Sequence, residues 1–153
     1  MSRPAKLIAL DETDLNVISA HVQDAVLRVG DIKFDRNAAQ LSFQMNRYVW
    51  EAKGARRWLF PHKERRRAVL HFDRALSIRS RGVDQSNPDA VLSLLTVRFV
   101  ADPDAGSAGG EVEFIFGGDA AITAHVECLE AKLTDVGGAW SASAKPDHGF
   151  WRS

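Results

Sequence analysis

The chain of 153 residues contains one cysteine, Cys128, so no intramolecular disulfide can form. One isolated thiol fits a reduced compartment, and a cytoplasmic protein is expected. Long apolar runs are missing as well. The N-terminal stretch MSRPAKLIAL has four apolar residues in a row after Lys6, against the roughly 7–15 of a secretory signal. No window reaches the ~18 apolar residues of a membrane span, so no membrane role is expected. Net charge is zero, from 20 basic and 20 acidic residues. That balance argues against a dedicated nucleic-acid binder, which is usually basic overall. Also missing are a P-loop, a glycine-rich dinucleotide fingerprint, a serine nucleophile elbow and a His-Glu-x-x-His zinc motif. No cofactor or metal is expected, and the reading leans away from an enzyme.

What is present is an ordinary globular composition, 45% hydrophobic and 26% charged. The length suits a single domain over 1–153, with a lead-in over 1–9 and a loose tail over 139–153. The acids Asp11, Glu12 and Asp14 precede Leu15, Ile18, Val22, Ala25 and Val26 at helical spacing, which predicts a helix over about 12–27. The period then changes to two. Ile32 and Phe34, a turn at Asp35-Arg-Asn37, and Leu41, Phe43, Met45 and Val49 predict a hairpin. Alternation continues from Ala68 to Ser80, from Leu92 to Val100, over Val112, Phe114 and Phe116, and over Ile122, Ala124 and Val126. Gly117-Gly-Asp119 offers a tight turn. Val126, Leu129, Leu133 and Val136 return to helical spacing and predict a second helix ended by Gly137-Gly138.

The expected fold is therefore α+β: a curved antiparallel sheet or roll of six to seven strands, an N-terminal helix and a C-terminal capping helix. That order of elements is similar to the pleckstrin-homology-like barrel.

Several motifs together resemble a known family. They are Leu7-Ile-Ala-Leu-Asp11, Asp14-Leu15-x-Val-Ile-Ser-Ala-His21, Asn46-Arg47-x-x-Trp50-Glu51, Leu70-x-Phe72-Asp73, Ser80-Arg81-Gly82-Val-Asp84, Pro88-Asp89-Ala-Val-Leu-Ser-Leu94-Leu95 and Val126-Glu127-Cys128-Leu-Glu130, with Trp140. The chain is similar over nearly its whole length to small bacterial proteins grouped as domain of unknown function 2948. The resemblance implies one intracellular bacterial domain and brings no activity, cofactor or catalytic residue with it.

The neutral total hides a segregation. Between Arg47 and Arg81 stand eleven basic and three acidic residues, a net +8, while the rest of the chain carries −8. The densest part is KGARRWLFPHKERRR, 53–67, with seven basic residues, one acid and the aromatics Trp58 and Phe60. Lys53, Arg56, Arg57, Lys63, Arg65, Arg66 and Arg67, with Trp58, are the candidate contacts for an anionic partner. An acidic protein, or a second copy of this chain, is favoured. The acids Asp11, Glu12, Asp14 and Asp24 on one helix and Glu127, Glu130 and Asp135 on the other offer complementary charge for self-association. Nucleic acid, RNA above all, is the alternative: guanidinium groups release counterions from phosphates and the aromatics stack on bases. Contact with roughly five phosphates of a single strand would give a salt slope near −3.5. The function expected first is a non-catalytic cytosolic binding or adaptor module. A small enzyme of unknown reaction is the other alternative, with His21, Arg81, Asp84 and His125 as candidate pocket residues. His125-x-x-Cys128 supplies two of the three protein ligands that zinc needs, and Asp84 to Asp89 reads as an Asx-type turn.

Overall fold

The computed structural model describes residues 4–49, 64–104 and 106–136. These form one helix, α1 (Glu12–Val22), one 3-10 turn (Val29–Asp31) and ten strands. The strands are β1 (Lys6–Ala9), β2 (Val26–Arg28), β3 (Ile32–Asp35), β4 (Gln40–Val49), β5 (Glu64–Asp73), β6 (Ala75–Arg81), β7 (Val91–Ala101), β8 (Gly110–Phe116), β9 (Ala121–Val126) and β10 (Ala131–Asp135).

Every pairing is antiparallel, and the path runs β1-β10-β5-β4-β2-β7-β8-β9-β6, with β3 also on β4. Its ends, β1 and β6, do not pair with each other, so the sheet is not closed. The path doubles back into two layers. The first layer is β1, β10, β5, β4, β3 and β2; the second is β7, β8, β9 and β6. Phe43 of β4 and Phe72 of β5 in the first layer meet Phe114 of β8 in the second, with centroids 4.4 and 5.2 Å apart. Around them Leu41, Met45, Leu70, Phe116 and Ile122 are buried in one continuous core. The alternation of the sequence is what places them there, since successive strand residues face opposite sides. The chain crosses between layers at Arg74, whose left-handed backbone (φ 59°) separates β5 from β6.

α1 begins where the acids predict. The Asp11 carboxylate caps it by accepting from the Asp14 N–H at 2.8 Å. Leu15, Ile18 and Val22 form its buried stripe. Ser19 Oγ accepts from the Val97 N–H at 3.0 Å and lies 3.2 Å from Thr96 Oγ1, seating the helix on β7. The helix stops at Val22 rather than 27. Asp24 turns left-handed (φ 66°), its N–H donates to Leu94 O, and Ala25 O accepts from the Leu94 N–H. Sheet pairing thus takes over residues that helical spacing assigned to α1.

The fold expectation holds at its coarse level, a largely antiparallel sheet with an N-terminal helix, and fails in two respects. There are ten strands rather than six to seven. Lys6–Ala9 of the expected lead-in is β1, Val26–Arg28 is β2, and Arg74 splits one expected strand into β5 and β6. The C-terminal capping helix is not formed over the described residues, and the similarity to a pleckstrin-homology-like barrel lapses with it. Residues 131–135 are β10, held between β1 and β5. Ala131, Leu133 and Asp135 also satisfy a period of two, all three buried. A ladder on both edges outweighs the helical spacing of four apolar residues.

A polar cluster closes one end of the core. Arg47 of β4 and Asp135 of β10 form a two-pronged ion pair, Nε to Oδ1 and Nη2 to Oδ2, both at 2.7 Å. Asp135 Oδ2 also accepts from the Ala5 N–H at 2.7 Å, tying the start of the chain to β10. Burial acts to raise the Asp135 carboxyl. The Arg47 hydrogen bonds, the Ala5 amide and the charges of Arg47 and Arg66 outweigh it, and the carboxyl is held below its ordinary range.

Candidate functional site

The basic stretch divides by where its strands point. Arg47 faces inward and is neutralised by Asp135. Arg74, at the corner, reaches Glu127 and Glu130 at 3.2 and 3.3 Å. Arg79, on the outer face of the second layer, makes two hydrogen bonds to Glu111 at 3.0 and 3.2 Å. Arg98 on the same face pairs with Glu113. The Arg79 guanidinium holds the Glu111 carboxyl below its ordinary range and is itself raised by it. Glu127, Glu130 and Asp135, expected on a helix as an acidic face for self-association, are thereby engaged within the molecule.

The outer face of the first layer differs. Register aligns Gln40, Ser42, Gln44, Asn46 and Tyr48 of β4 with Asp73, His71, Val69, Arg67 and Arg65 of β5. Lys132 of β10 flanks His71, and Lys33 of β3 flanks Ser42. His71 Nε2 lies 3.1 Å from Asp73 Oδ1, which also accepts from Gln40 Nε2. Arg65 stands over the Tyr48 ring at 5.7 Å. Arg67 Nη1 makes a long hydrogen bond of 3.5 Å to Asn46 Oδ1. Among the described residues, neither Arg65 nor Arg67 meets a carboxylate. Arg67 Nε and Gln44 Nε2 are buried donors without an acceptor among the described residues. Buried donors are normally satisfied, so these two stand apart from the rest of the face.

The same face opens into a crevice of about 330 Å³ where β2 leaves β4. Val26 pairs with Asn46 on one side and Ser93 on the other, but Leu27 and Arg28 pair with β7 alone. The split leaves a gap floored by Leu27 and Met45 and rimmed by Arg28, Asp31, Asn46 and Arg67. Arg28 was not a candidate from the sequence, and Asn46 stood there only within a family motif. Asn46 stands on the polar side of the predicted β4 alternation, which was a usable signal. Arg28 follows the expected helix and gave none.

Of the candidate contacts, Arg65, Arg66 and Arg67 lie on β5, whereas Lys53, Arg56, Arg57, Trp58 and Lys63 lie outside the described residues. The four candidate pocket residues do not line the crevice. His21 Nδ1 is 2.9 Å from Val17 O of its own helix. Arg81 and His125 are separated along β9, where Arg81 stands opposite Ala121 and His125 four residues further, about 13 Å at strand rise. The Asp84 carboxylate accepts from the Ser86 N–H at 3.0 Å and from its hydroxyl at 2.6 Å, a local Asx-type turn. Gly82, in the preceding bend, needs its left-handed backbone (φ 72°), and a Cβ there would come within 3.1 Å of Asp119 O. No group of three or more metal-ligating side chains occurs among the described residues. No helix of the described residues is long and apolar enough to cross a membrane.

The motifs quoted from the sequence now have structural meanings. Asn46-Arg47 places one residue at the crevice and the next in the buried ion pair. Pro88 meets Gly30, whose N–H donates to Pro88 O at 2.8 Å. Cys128 and Glu130 belong to the connection that Arg74 clasps. No curated protein and no solved structure matches the chain. The sequence model of the family described as proteins of unknown function (DUF2948) matches residues 5–148, and the chain belongs to that family.

Proposed function

We propose that this protein is a cytoplasmic, non-catalytic binding module. In this reading the Arg-rich stretch 53–67, together with the outer face of the first layer, engages an acidic partner protein. The observation that carries the reading is the sorting of cations. Arg47, Arg74 and Arg79 are neutralised by carboxylates of this chain, whereas Arg65 and Arg67 meet none among the described residues. A cation on a sheet surface with no carboxylate of its own is available to an external anion at little desolvation cost. Complementary charge then sets orientation and association rate.

The test is affinity capture from cell extract at low and high salt, with and without nuclease, comparing the wild type with a variant carrying Ser at Arg56, Arg57, Arg65, Arg66 and Arg67. A protein retained at low salt, released at high salt, indifferent to nuclease and lost from the variant is the expected result. Capture that depends on nucleic acid would replace the protein partner with RNA or DNA. Capture equal in wild type and variant would end the reading.

A further inference from the structure

From the crevice between β2 and β4 we infer a second, smaller recognition site. It would take a small organic carboxylate that has an apolar body and a hydrogen-bond donor beside the carboxylate. The inference rests on the reading that outward arginines of this face recognise anions, and it adds a ligand class and a specific place.

The walls define the class. Leu27 and Met45 are buried at the floor, and Val26 and Val91 add apolar surface beside them. Four apolar and four polar side chains line the crevice, with most of its exposed surface polar, and 330 Å³ is at the small end of the range for a small-molecule site. The polar groups are Arg28, Arg67, Asn46 and Asp31. Two guanidinium groups against one carboxylate leave a net single positive charge. That favours a monoanion over a phosphate dianion, which Asp31 would repel.

Arg67 presents the chemistry most directly. Its Nε is buried without an acceptor among the described residues, and its Nη1 is only weakly engaged by Asn46. A carboxylate accepting from the guanidinium would engage a cation that meets no carboxylate among the described residues, and a guanidinium edge suits the two oxygens of a carboxylate. Among the described residues Asp31 accepts only a long bond, 3.4 Å, from the Arg28 N–H. It therefore has lone pairs left for a hydroxyl or amine of the ligand. The site is fixed by strand register rather than by a loop, because Val26, Asn46 and Arg67 occupy one row across three strands. Arg28 follows two residues after Val26, on the same face of β2.

The experiment is calorimetric titration of the full chain with 2-hydroxy-4-methylpentanoate, its uncharged amide and inorganic phosphate. The hydroxy acid should bind saturably, and the amide and phosphate at least roughly tenfold more weakly. Loss of a charge-assisted hydrogen bond predicts a loss of roughly tenfold or more in Arg67→Gln. Arg28→Gln, at an exposed position that leaves the core untouched, should weaken binding as well and covers the case of a misfolded Arg67 variant. Absence of saturable binding, equal binding of amide and acid, equal binding of phosphate, or unaltered binding in both variants would each overturn the inference. A variant with Ser at Arg56, Arg57 and Lys63 alters none of the described lining residues and separates this inference from the proposed partner. Its hydroxy-acid affinity should be unchanged while partner capture falls. If capture behaves as proposed and the titrations are flat, the crevice inference alone fails. If the titrations succeed and capture is indifferent to salt, the partner reading alone fails.

Discussion

The outer faces of the two layers use their arginines differently. On the second layer, Arg79 and Arg98 each stand beside a glutamate of β8, and both are paired. On the first layer, Arg65 and Arg67 have an aromatic ring and an amide for neighbours. The difference comes from strand order. β8 supplies Glu113 opposite Arg98 of β7 and Glu111, which reaches Arg79 of β6 across β9, whereas β4 supplies Gln44, Asn46 and Tyr48 to β5. A linear charge excess therefore says little until strand pairing shows which acids reach it. Of the cations between 47 and 81, Arg74 at the corner and Arg79 in β6 are cancelled locally, whereas Arg65 and Arg67 in β5 meet no carboxylate among the described residues.

The comparison can be broken most severely at its buried end, where a cation is neutralised inside the core. Asp135→Ala would leave the Arg47 guanidinium uncompensated and remove the acceptor of the Ala5 amide. The expected loss is about 3–5 kcal/mol in a urea denaturation series. The same pair sets a pH dependence. The Asp135 carboxyl is lowered on folding, so its contribution is complete above the ordinary carboxylate range. It is lost as the pH falls below about 4, toward the folded-state value. The Asp135→Ala variant should lack that part of the acid-induced decline.

A smaller effect is expected on the first face. Arg65→Ser with Arg67→Ser should lower affinity for an oligo-glutamate peptide roughly tenfold at low ionic strength. Two exposed contacts at under about 1 kcal/mol each account for it. The difference should shrink as salt is added. Smallest in stability and sharpest in logic is Glu111→Gln with Glu113→Gln on the second face. It should leave the thermal midpoint unchanged within measurement, since exposed ion pairs contribute little. It should also release Arg79 and Arg98 and let the second face bind the same peptide. A second face that stays inert once its glutamates are gone would show that pairing is not what distinguishes the two.

Much of the fold was legible because burial obeys a period. Leu41, Phe43 and Met45, and Val112, Phe114 and Phe116, alternate without ambiguity and are buried as expected. The errors fall where a segment satisfies two periods or where one residue sets a corner. Leu129 and Leu133 suit a helix, but Ala131, Leu133 and Asp135 suit a strand, and the decision rested with the open edges of β1 and β5. Ala25 and Val26 continued the helical stripe until pairing with Leu94 and Ser93 withdrew them. Arg74 carries no local signal for its left-handed backbone. The site was legible in part. The density of arginine pointed to Arg65 and Arg67, but Arg28 and Asn46 reach the crevice through register and a split between strands, neither of which is written in local spacing. The same is true of Arg47, which belongs to the basic stretch in sequence and to the core in space.

The central proposal is that Arg65 and Arg67 of the first face take part in binding an external anion. Its most direct measurement is fluorescence anisotropy of an oligo-glutamate peptide titrated with the wild type and with Arg65→Ser/Arg67→Ser across a range of salt concentrations. The account predicts saturable binding that weakens steadily with salt and is reduced in the variant. Binding that is absent at low salt, or identical in the two proteins at every salt concentration, would contradict it.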